Sequence, residues 1–416
     1  MKDGIHLVER PALQPKEATA TQGWTLASAS FLAAVATAVL APVLPRIAAH
    51  FSSTAHVALL MSLLPTLPAL FVALGAWPAG LVADRIGVRS VLLIGVGIYG
   101  FLGCAPILLN SLPAIVLTRA GVGITEAMIM TCSTALLADY FHGSERERWL
   151  AVMTGGGGIV AVTMIALGGL LGESGWRLPF SMYGIAFVLF PLCLLKTWEP
   201  DRRRNAQAGI DQTSRRQTLP ENAEKFNWSP LIGISLLTLF SSSAFYLLII
   251  HLSYILTERG VTSTRTIGLG SAVAVFAGMV GAVLFKVLRL PVAGKLLISF
   301  IFLAAGFLMV AVVHSFLWTE IAASINQLGA GMVLPTLLTW ALSKLTMDVR
   351  ARGTGVWQTA MFLGQFLCPL IVLLLKNVFG SISVAVLIYG VACSVAALLA
   401  AISCFRPGSR ELVEAP

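Results

Sequence analysis

The amino-acid sequence predicts an all-α membrane protein: twelve transmembrane helices in two sets of six, with both ends on one side of the bilayer. Three observations carry that prediction. The chain is 57% hydrophobic and only 11% charged, with a mean hydropathy of +0.86, whereas a soluble domain carries about 25% charged residues. Apolar runs of about 20 residues, long enough to cross a hydrocarbon core of about 30 Å, recur about twelve times. The 28 Lys and Arg residues are also strongly biased in placement. With the N-terminus in the cytoplasm, 22 fall on the cytoplasmic side, and Arg46, Arg119, Arg177, Arg259, Arg265 and Lys376 are the remainder. That is the positive-inside rule. The net charge of +9 therefore sets orientation and does not recruit nucleic acid.

The spans are expected near 23–49, 55–83, 88–109, 112–140, 149–171 and 176–197, then 229–252, 263–288, 294–313, 317–342, 353–376 and 380–405. The polar stretch 198–228, with Arg202-Arg203-Arg204 and Arg215-Arg216, separates the two sets as a cytoplasmic linker. Organisation follows: a tail at 1–22, a first half at 23–197, the linker, a second half at 229–405 and a tail at 406–416. Residues 1–22 have no apolar core or cleavage signal of a secretory peptide, so the first span is expected to act as its own uncleaved insertion signal. Pro42, Pro45, Pro65, Pro68, Pro78, Pro335 and Pro369 are expected to bend their helices. The six cysteines (Cys104, Cys132, Cys193, Cys368, Cys393 and Cys404) sit in apolar runs without metal-ligand spacing and read as small core residues. No metal or cofactor is expected. There is no G-x-x-x-x-G-K-[ST] phosphate loop, so a solute moved by this chain would be driven by an existing gradient.

Two pairs of segments recur at nearly one offset. Arg148-Trp-Leu-Ala151-Val152 is followed 204 positions later by Arg352-Gly-Thr-Gly355-Val356, and Tyr183-Gly184-Ile-Ala186 is followed 206 positions later by Tyr389-Gly390-Val-Ala392. Duplication of a six-helix unit accounts for both. Coincidence among low-complexity apolar sequence is the alternative.

Between the second and third apolar runs stands Gly80-Leu-Val-Ala-Asp84-Arg85-Ile-Gly87-Val-Arg89. Charges this dense are tolerated only where the chain leaves the hydrocarbon, so this is a tight loop. Gly80 is expected to let the second helix approach a neighbour closely. The stretch matches nearly every defined position of G-x-L-A-D-R-x-G-x-R and so resembles the corresponding loop of the major facilitator superfamily. That resemblance implies two six-helix halves related by a pseudo-two-fold axis along the membrane normal. It also implies a cytoplasmic latch, with Asp84 set against the positive end of the eleventh helix, a contact of about 0.3–1 kcal/mol when exposed. The other reading of Asp84, Arg85 and Arg89 is that they only fix topology. The equivalent second-half stretch, Gly281-Ala-Val-Leu-Phe-Lys286-Val-Leu-Arg289, lacks the Asp, so such a latch is asymmetric.

Arg119 and Glu126 share the fourth span. Seven residues apart, they lie on one face, about 10.5 Å apart along the axis. Charges this deep face protein or water, which makes both functional candidates. The segment Arg119-Ala-Gly121-Val-Gly123 resembles the family's R-x-x-x-G motif, in which the Arg is associated with proton movement. Low dielectric favours the neutral acid of Glu126 and a nearby guanidinium favours the carboxylate; occupation of a cavity would tip that balance and couple protons to transport. A static intrahelical ion pair is the alternative. In the fifth span Gly168-Gly169 is present, but Met164-Ile165 replaces the Gly-Pro of drug antiporters. The run Gly155-Gly156-Gly157-Gly158 is expected to give close packing or local flexibility.

By analogy with the family, the first, fourth, seventh and tenth spans line the cavity, which makes Arg119, Glu126, Ser242, Tyr246, Asn326, Gln327 and Trp340 candidates. Gln358 and Gln365, seven apart on the eleventh span, are expected to share a face. Tyr246 and Trp340 read equally as packing residues or interfacial anchors. The function implied is proton-coupled export of a small amphipathic or anionic organic compound from a bacterial-type cell by a monomer in the inner membrane, with both termini cytoplasmic. Arg119 inclines the substrate toward negative charge. Proton-coupled import of an organic acid is the alternative. A receptor or an enzyme acting on a lipid-soluble substrate is a different class; His251 and His314 are isolated in the sequence, and counterflow of labelled solute separates a carrier from either. Asp84→Asn is expected to impair transport while the protein stays folded in the membrane. Full transport activity of that variant would remove the latch.

Overall fold

The structure, a computed structural model, describes residues 18–200, 228–346 and 349–405. The expected tails and most of the linker, with its arginine clusters, lie outside the described residues. Twelve helices among the described residues are long and apolar enough to span a bilayer: Ala20–His50, Leu67–Ile86, Val88–Ile107, Leu112–Tyr140, Gly143–Ser174, Leu178–Lys196, Ser229–Glu258, Thr264–Val287, Val292–Val312, Phe316–Ser343, Arg352–Phe379 and Ile382–Cys404. No strand occurs among the described residues. The fifth helix begins six residues ahead of its expected start, because the polar turn Gly143-Ser-Glu-Arg-Glu-Arg148 is helical. The charged side chains there are exposed, so the segment can continue the helix into water without a desolvation cost.

Local chemistry sets the helix ends. Pro68, Pro113, Pro179 and Pro230 stand in first turns, where a missing N–H costs nothing. The hydroxyls of Ser263 and Ser315 accept from the N–H of Thr266 and Trp318, the usual N-cap bond. Of the prolines expected to bend helices, Pro42 and Pro45 fall where the first span breaks into a 3₁₀ turn at Ala41–Val43. Pro65 lies in the break between Val57–Leu63 and Leu67–Ile86. Pro78, Pro335 and Pro369 lie inside uninterrupted helices.

Buried side chains gather into two clusters, one drawn chiefly from the first six spans and one from the last six. Tyr246 and Tyr254 of the seventh span pack against both. Glycine governs how closely the helices approach. A Cβ placed at Gly123 would lie 2.4 Å from the Pro68 carbonyl oxygen, so the fourth span rests directly on the second. At Gly331 it would lie 1.9 Å from the Gly278 carbonyl oxygen, joining the tenth span to the eighth. Gly80 behaves otherwise than expected: among the described residues nothing stands within 4 Å of its Cβ position, so it mediates no close approach between them. Gly123→Ala is therefore expected to lower stability by about 1–3 kcal/mol through overpacking against backbone, whereas Gly80→Ala leaves it nearly unchanged. Thermal unfolding of the two variants in one detergent measures the difference.

Candidate functional site

A cavity of about 560 Å³ lies where the two clusters meet. Its wall comes from the first, fifth, seventh, eighth and tenth spans, and small or apolar side chains dominate it: Ala33, Ala34 and Ala38, Gly155 and Gly158, Ile249, Met279 and Leu334. The polar lining is sparse, consisting of Thr37, Thr154, Tyr246, Gln327 and Lys286. Ala38 and Ile165 at one end are buried, whereas Ala282, Val283 and Lys286 at the other are exposed. The cavity thus opens toward the end of the bundle that carries Lys286.

The opposite end is held shut. A Cβ at Gly169 would lie 2.6 Å from the Thr264 carbonyl oxygen and 2.7 Å from the Gly268 Cα, so the fifth and eighth spans touch backbone to backbone. Gly168 does the same toward the first span, 2.1 Å from the Val39 carbonyl oxygen. The Gly-Gly of the fifth span is thus a packing device. The Thr264 hydroxyl donates to the Gly169 carbonyl at 3.0 Å. Beside it, Glu173 receives a hydrogen bond from the Ser263 hydroxyl and another from the Arg265 N–H at 3.1 Å. A carboxylate at the start of a helix is favoured by the uncompensated N–H groups there. Arg46 completes the clasp, donating to the Gly172 carbonyl at 2.6 Å and to Glu173 Oε2 at 3.1 Å. The glycine run further along the fifth span splits in role: Gly156 packs against Phe31 and Gly158 against Met279, while Gly155 and Gly157 meet nothing within 4 Å.

Few of the residues chosen from the sequence line the cavity. Tyr246 and Gln327 do, and the Gln327 amide donates to the Phe245 carbonyl at 3.3 Å. Arg119 is fully buried away from it: its guanidinium donates to the carbonyls of Leu102 and Gly103 at 3.1 and 3.3 Å and stands over the rings of Phe180 and Tyr183 at 5.3 and 4.9 Å. The inclination toward an anionic substrate drew on Arg119, and that side chain instead ties the third, fourth and sixth spans together. Arg119 and Glu126 form no ion pair: Nη1 of the arginine and Oε2 of the acid are both buried without a partner. The spacing explains it, since two turns of helix set the groups about 10 Å apart along the axis. Glu126 is 7% exposed and does not line the cavity, though its helix contributes Val122 and Ile129 to the first cluster. Tyr246, which does line the cavity, packs against that same cluster.

The other candidates lie outside the lining of this cavity. Ser242 donates to the Met361 carbonyl at 2.6 Å, joining the seventh span to the eleventh. Asn326 donates to the Leu303 carbonyl at 3.0 Å, within the second half. Trp340 packs against the second cluster. Gln358 is exposed and Gln365 buried, so their shared helical face meets two environments.

In the loop motif, Asp84 and Arg85 are exposed on the last turn of the second span. Gly87 takes φ +97°, a conformation that favours glycine. Its missing Cβ leaves room for Glu199, whose carboxylate accepts from the N–H groups of Val88 and Arg89, both at 2.8 Å. Arg89 donates onward to the Leu194 carbonyl at 2.8 Å. Glu199 was missed in the sequence because it stands at the start of the polar linker, where an acid looks ordinary. Glu320, five residues into the tenth span, was also missed; it is 8% exposed, lies against Gly270, and neither carboxyl oxygen has a partner. A second pocket of about 330 Å³ lies toward the clasped end, where Met61 and Ser62 face His251, Tyr254 and Lys376. No cluster of side chains that could hold a metal occurs among the described residues.

Twelve apolar helices enclosing a cavity between two packed clusters define a multi-pass membrane carrier. The chain belongs to the major facilitator superfamily, whose profile matches residues 26–369, and members of that family are transporters rather than enzymes. Among proteins of known role it is 26% identical to the class D tetracycline resistance protein of Salmonella ordonez over 324 residues, 74% of this chain and 77% of that one. It is 28% identical to the 3-(3-hydroxy-phenyl)propionate transporter of Escherichia coli K12 over 302 residues, 70% of each. The crystal structure of a D-xylose-proton symporter superposes with a TM-score of 0.75, at 15% identity, covering 94% of this chain and 98% of that one.

The clasp yields a measurable expectation. Glu173 accepts from a hydroxyl and a helix N–H across the two halves, so Glu173→Ala should open this end in a larger fraction of molecules. A cysteine placed at the buried Thr264 should then react correspondingly faster with a membrane-impermeant maleimide than the same cysteine with Glu173 intact. Equal rates would show that glycine packing alone closes the bundle.

Proposed function

We propose that the protein is a proton-coupled exporter of a small amphipathic or anionic organic compound, working by alternating access in a bacterial inner membrane with both termini cytoplasmic. One observation carries this reading: the buried Glu126 keeps a carboxyl oxygen without a partner, and Tyr246 of the cavity wall packs against the first cluster, to which the Glu126 helix contributes Val122 and Ile129. A solute that contacts Tyr246 alters the surroundings of an acid with an unpartnered oxygen, which is the linkage that proton coupling needs. The sparse polarity of the wall favours an amphipathic solute, with apolar surface against Ala33, Ile249 and Met279 and a polar group directed to Thr37, Gln327 or Lys286. Lys286 is the cationic side chain on that wall, so it replaces Arg119 as the partner for any negative charge on the solute.

Orientation by the positive-inside rule places the Lys286 end in the cytoplasm. The cavity is then open to the cytoplasm and clasped on the far side, the conformation in which an exporter loads. Similarity to a tetracycline resistance protein supports export. The second reading, proton-coupled uptake of an organic acid, has support from the similarity to a 3-(3-hydroxy-phenyl)propionate transporter. Proteoliposomes with an imposed pH gradient decide between them by whether labelled solute moves against the proton flow or with it. Glu126→Gln should abolish gradient-driven flux while sparing binding and solute exchange. Undiminished gradient-driven flux in that variant would take Glu126 out of the mechanism.

A further inference from the structure

The third helix of each half begins alike and is completed differently. Arg85 and Val88 have counterparts 204 positions later in Arg289 and Val292, and both helices start at the valine. In the first half, Glu199 sits over that start and accepts from Val88 and Arg89. The residue 204 positions after Glu199 is Ser403, and among the described residues no side chain caps the helix that begins at Val292. A pocket of about 320 Å³ lies there instead, between Arg289 and Lys295 on one side and Thr336 and Thr339 on the other, with Phe285 and Leu290 in its wall.

The pocket is cationic and unneutralised. Among the described residues neither Arg289 nor Lys295 has an acidic partner. The Lys295 ammonium rests over the Phe285 ring at 4.2 Å. Both threonine hydroxyls donate to carbonyls of their own helix, Thr336 to Met332 at 2.7 Å and Thr339 to Pro335 at 2.9 Å, so the charge on an incoming anion falls to the two basic residues. Beside the pocket, Val287 and Leu290 are 65% and 40% exposed. The site therefore pairs two cations with an apolar flank at the end of two membrane spans.

We propose that this pocket binds the phosphate of an anionic membrane phospholipid. Arg289 and Lys295 hold the phosphate oxygens, a geometry for which guanidinium is well suited, and the acyl chains lie along Val287 and Leu290. Basic pockets between helices at the membrane surface recognise lipid headgroups in this way. The apolar flank selects lipid over free phosphate, which offers it nothing to cover.

The full chain, purified in detergent with equal amounts of phosphatidylglycerol and phosphatidylcholine, provides the test by native mass spectrometry. The unmodified protein should retain phosphatidylglycerol preferentially. In Arg289→Gln/Lys295→Gln that preference should fall about fivefold for each basic residue removed. Arg289→Lys/Lys295→Arg should keep most of it. Arg146→Gln/Arg148→Gln, which removes two exposed charges elsewhere, should leave it intact and separates a site from a general charge effect. Inorganic phosphate at millimolar concentration should not displace the lipid. An unchanged preference in the Gln/Gln variant, an equal loss in the Arg146/Arg148 control, or displacement by phosphate would each overturn the proposal.

Discussion

A charge inside an apolar bundle has to be matched by the protein, because the surrounding hydrocarbon offers it neither water nor a counter-ion. This chain meets that constraint with unusual economy. Arg119 is met by two backbone carbonyls and two aromatic faces, so the one guanidinium deep in the first half becomes a rivet between three helices. Glu173 and Arg46 match each other while joining the halves at one end. Glu199 matches the exposed N–H groups of the third helix. Two buried acids are exceptions: Glu126, within the fourth span, keeps one carboxyl oxygen without a partner, and Glu320, five residues into the tenth, keeps both. An unmatched buried acid is a place where a proton or a solute makes a difference, and the proposed coupling rests on Glu126, which stands further from its helix ends than Glu320.

Much of the fold was legible in the sequence, because the bilayer leaves so few solutions. Twelve apolar runs became twelve helices, and most limits agree within a few residues. The departures have local causes. The fifth helix starts early because exposed Glu145, Arg146 and Arg148 let it project into water. The second span is shortened because Pro65 breaks the chain after Leu63, leaving Val57–Leu63 as a separate turn of helix. The candidate site was much less legible. Helical spacing places residues on a face but does not say whether that face meets a cavity, a neighbouring helix or lipid. Asn326 and Gln327 are adjacent, yet one bonds within its own half and the other borders the cavity. Ser242 looked like a polar cavity residue and instead joins two helices through the Met361 carbonyl.

Glycines show the same limit from the other side. The motif made Gly80 the natural choice for close helix approach, but its surroundings are empty, and Gly123 performs that task between the second and fourth spans. A glycine in a sequence marks a permission, and only the packed neighbour reveals whether it is used. Where it is used, the constraint is severe, since backbone cannot step aside as a flexible side chain can. The contact of Gly169 with Gly268 is of this kind, and it couples the two halves through atoms that no substitution can preserve.

The two ends of the bundle therefore differ: one is clasped across the halves, and the loop at the other is braced within a half. One end is closed by backbone contact between the fifth and eighth spans, reinforced by Glu173 at the start of the eighth helix. At the other, the loop after the second span devotes Gly87 and Arg89 to contacts within its own half, through Glu199 and Leu194. Residues that brace a half make it move as one body; residues that join halves set which end is shut. On the proposed alternating-access reading, conversion to the opposite conformation trades the Glu173 contacts for others at the Asp84 end. On that reading the free-energy gap between conformations is a difference between two helix-terminus contacts of similar kind, each small enough to be reversed by the binding of a solute or a proton. A carrier needs that near balance, since a bundle locked by a strong contact at either end would bind its solute and never release it.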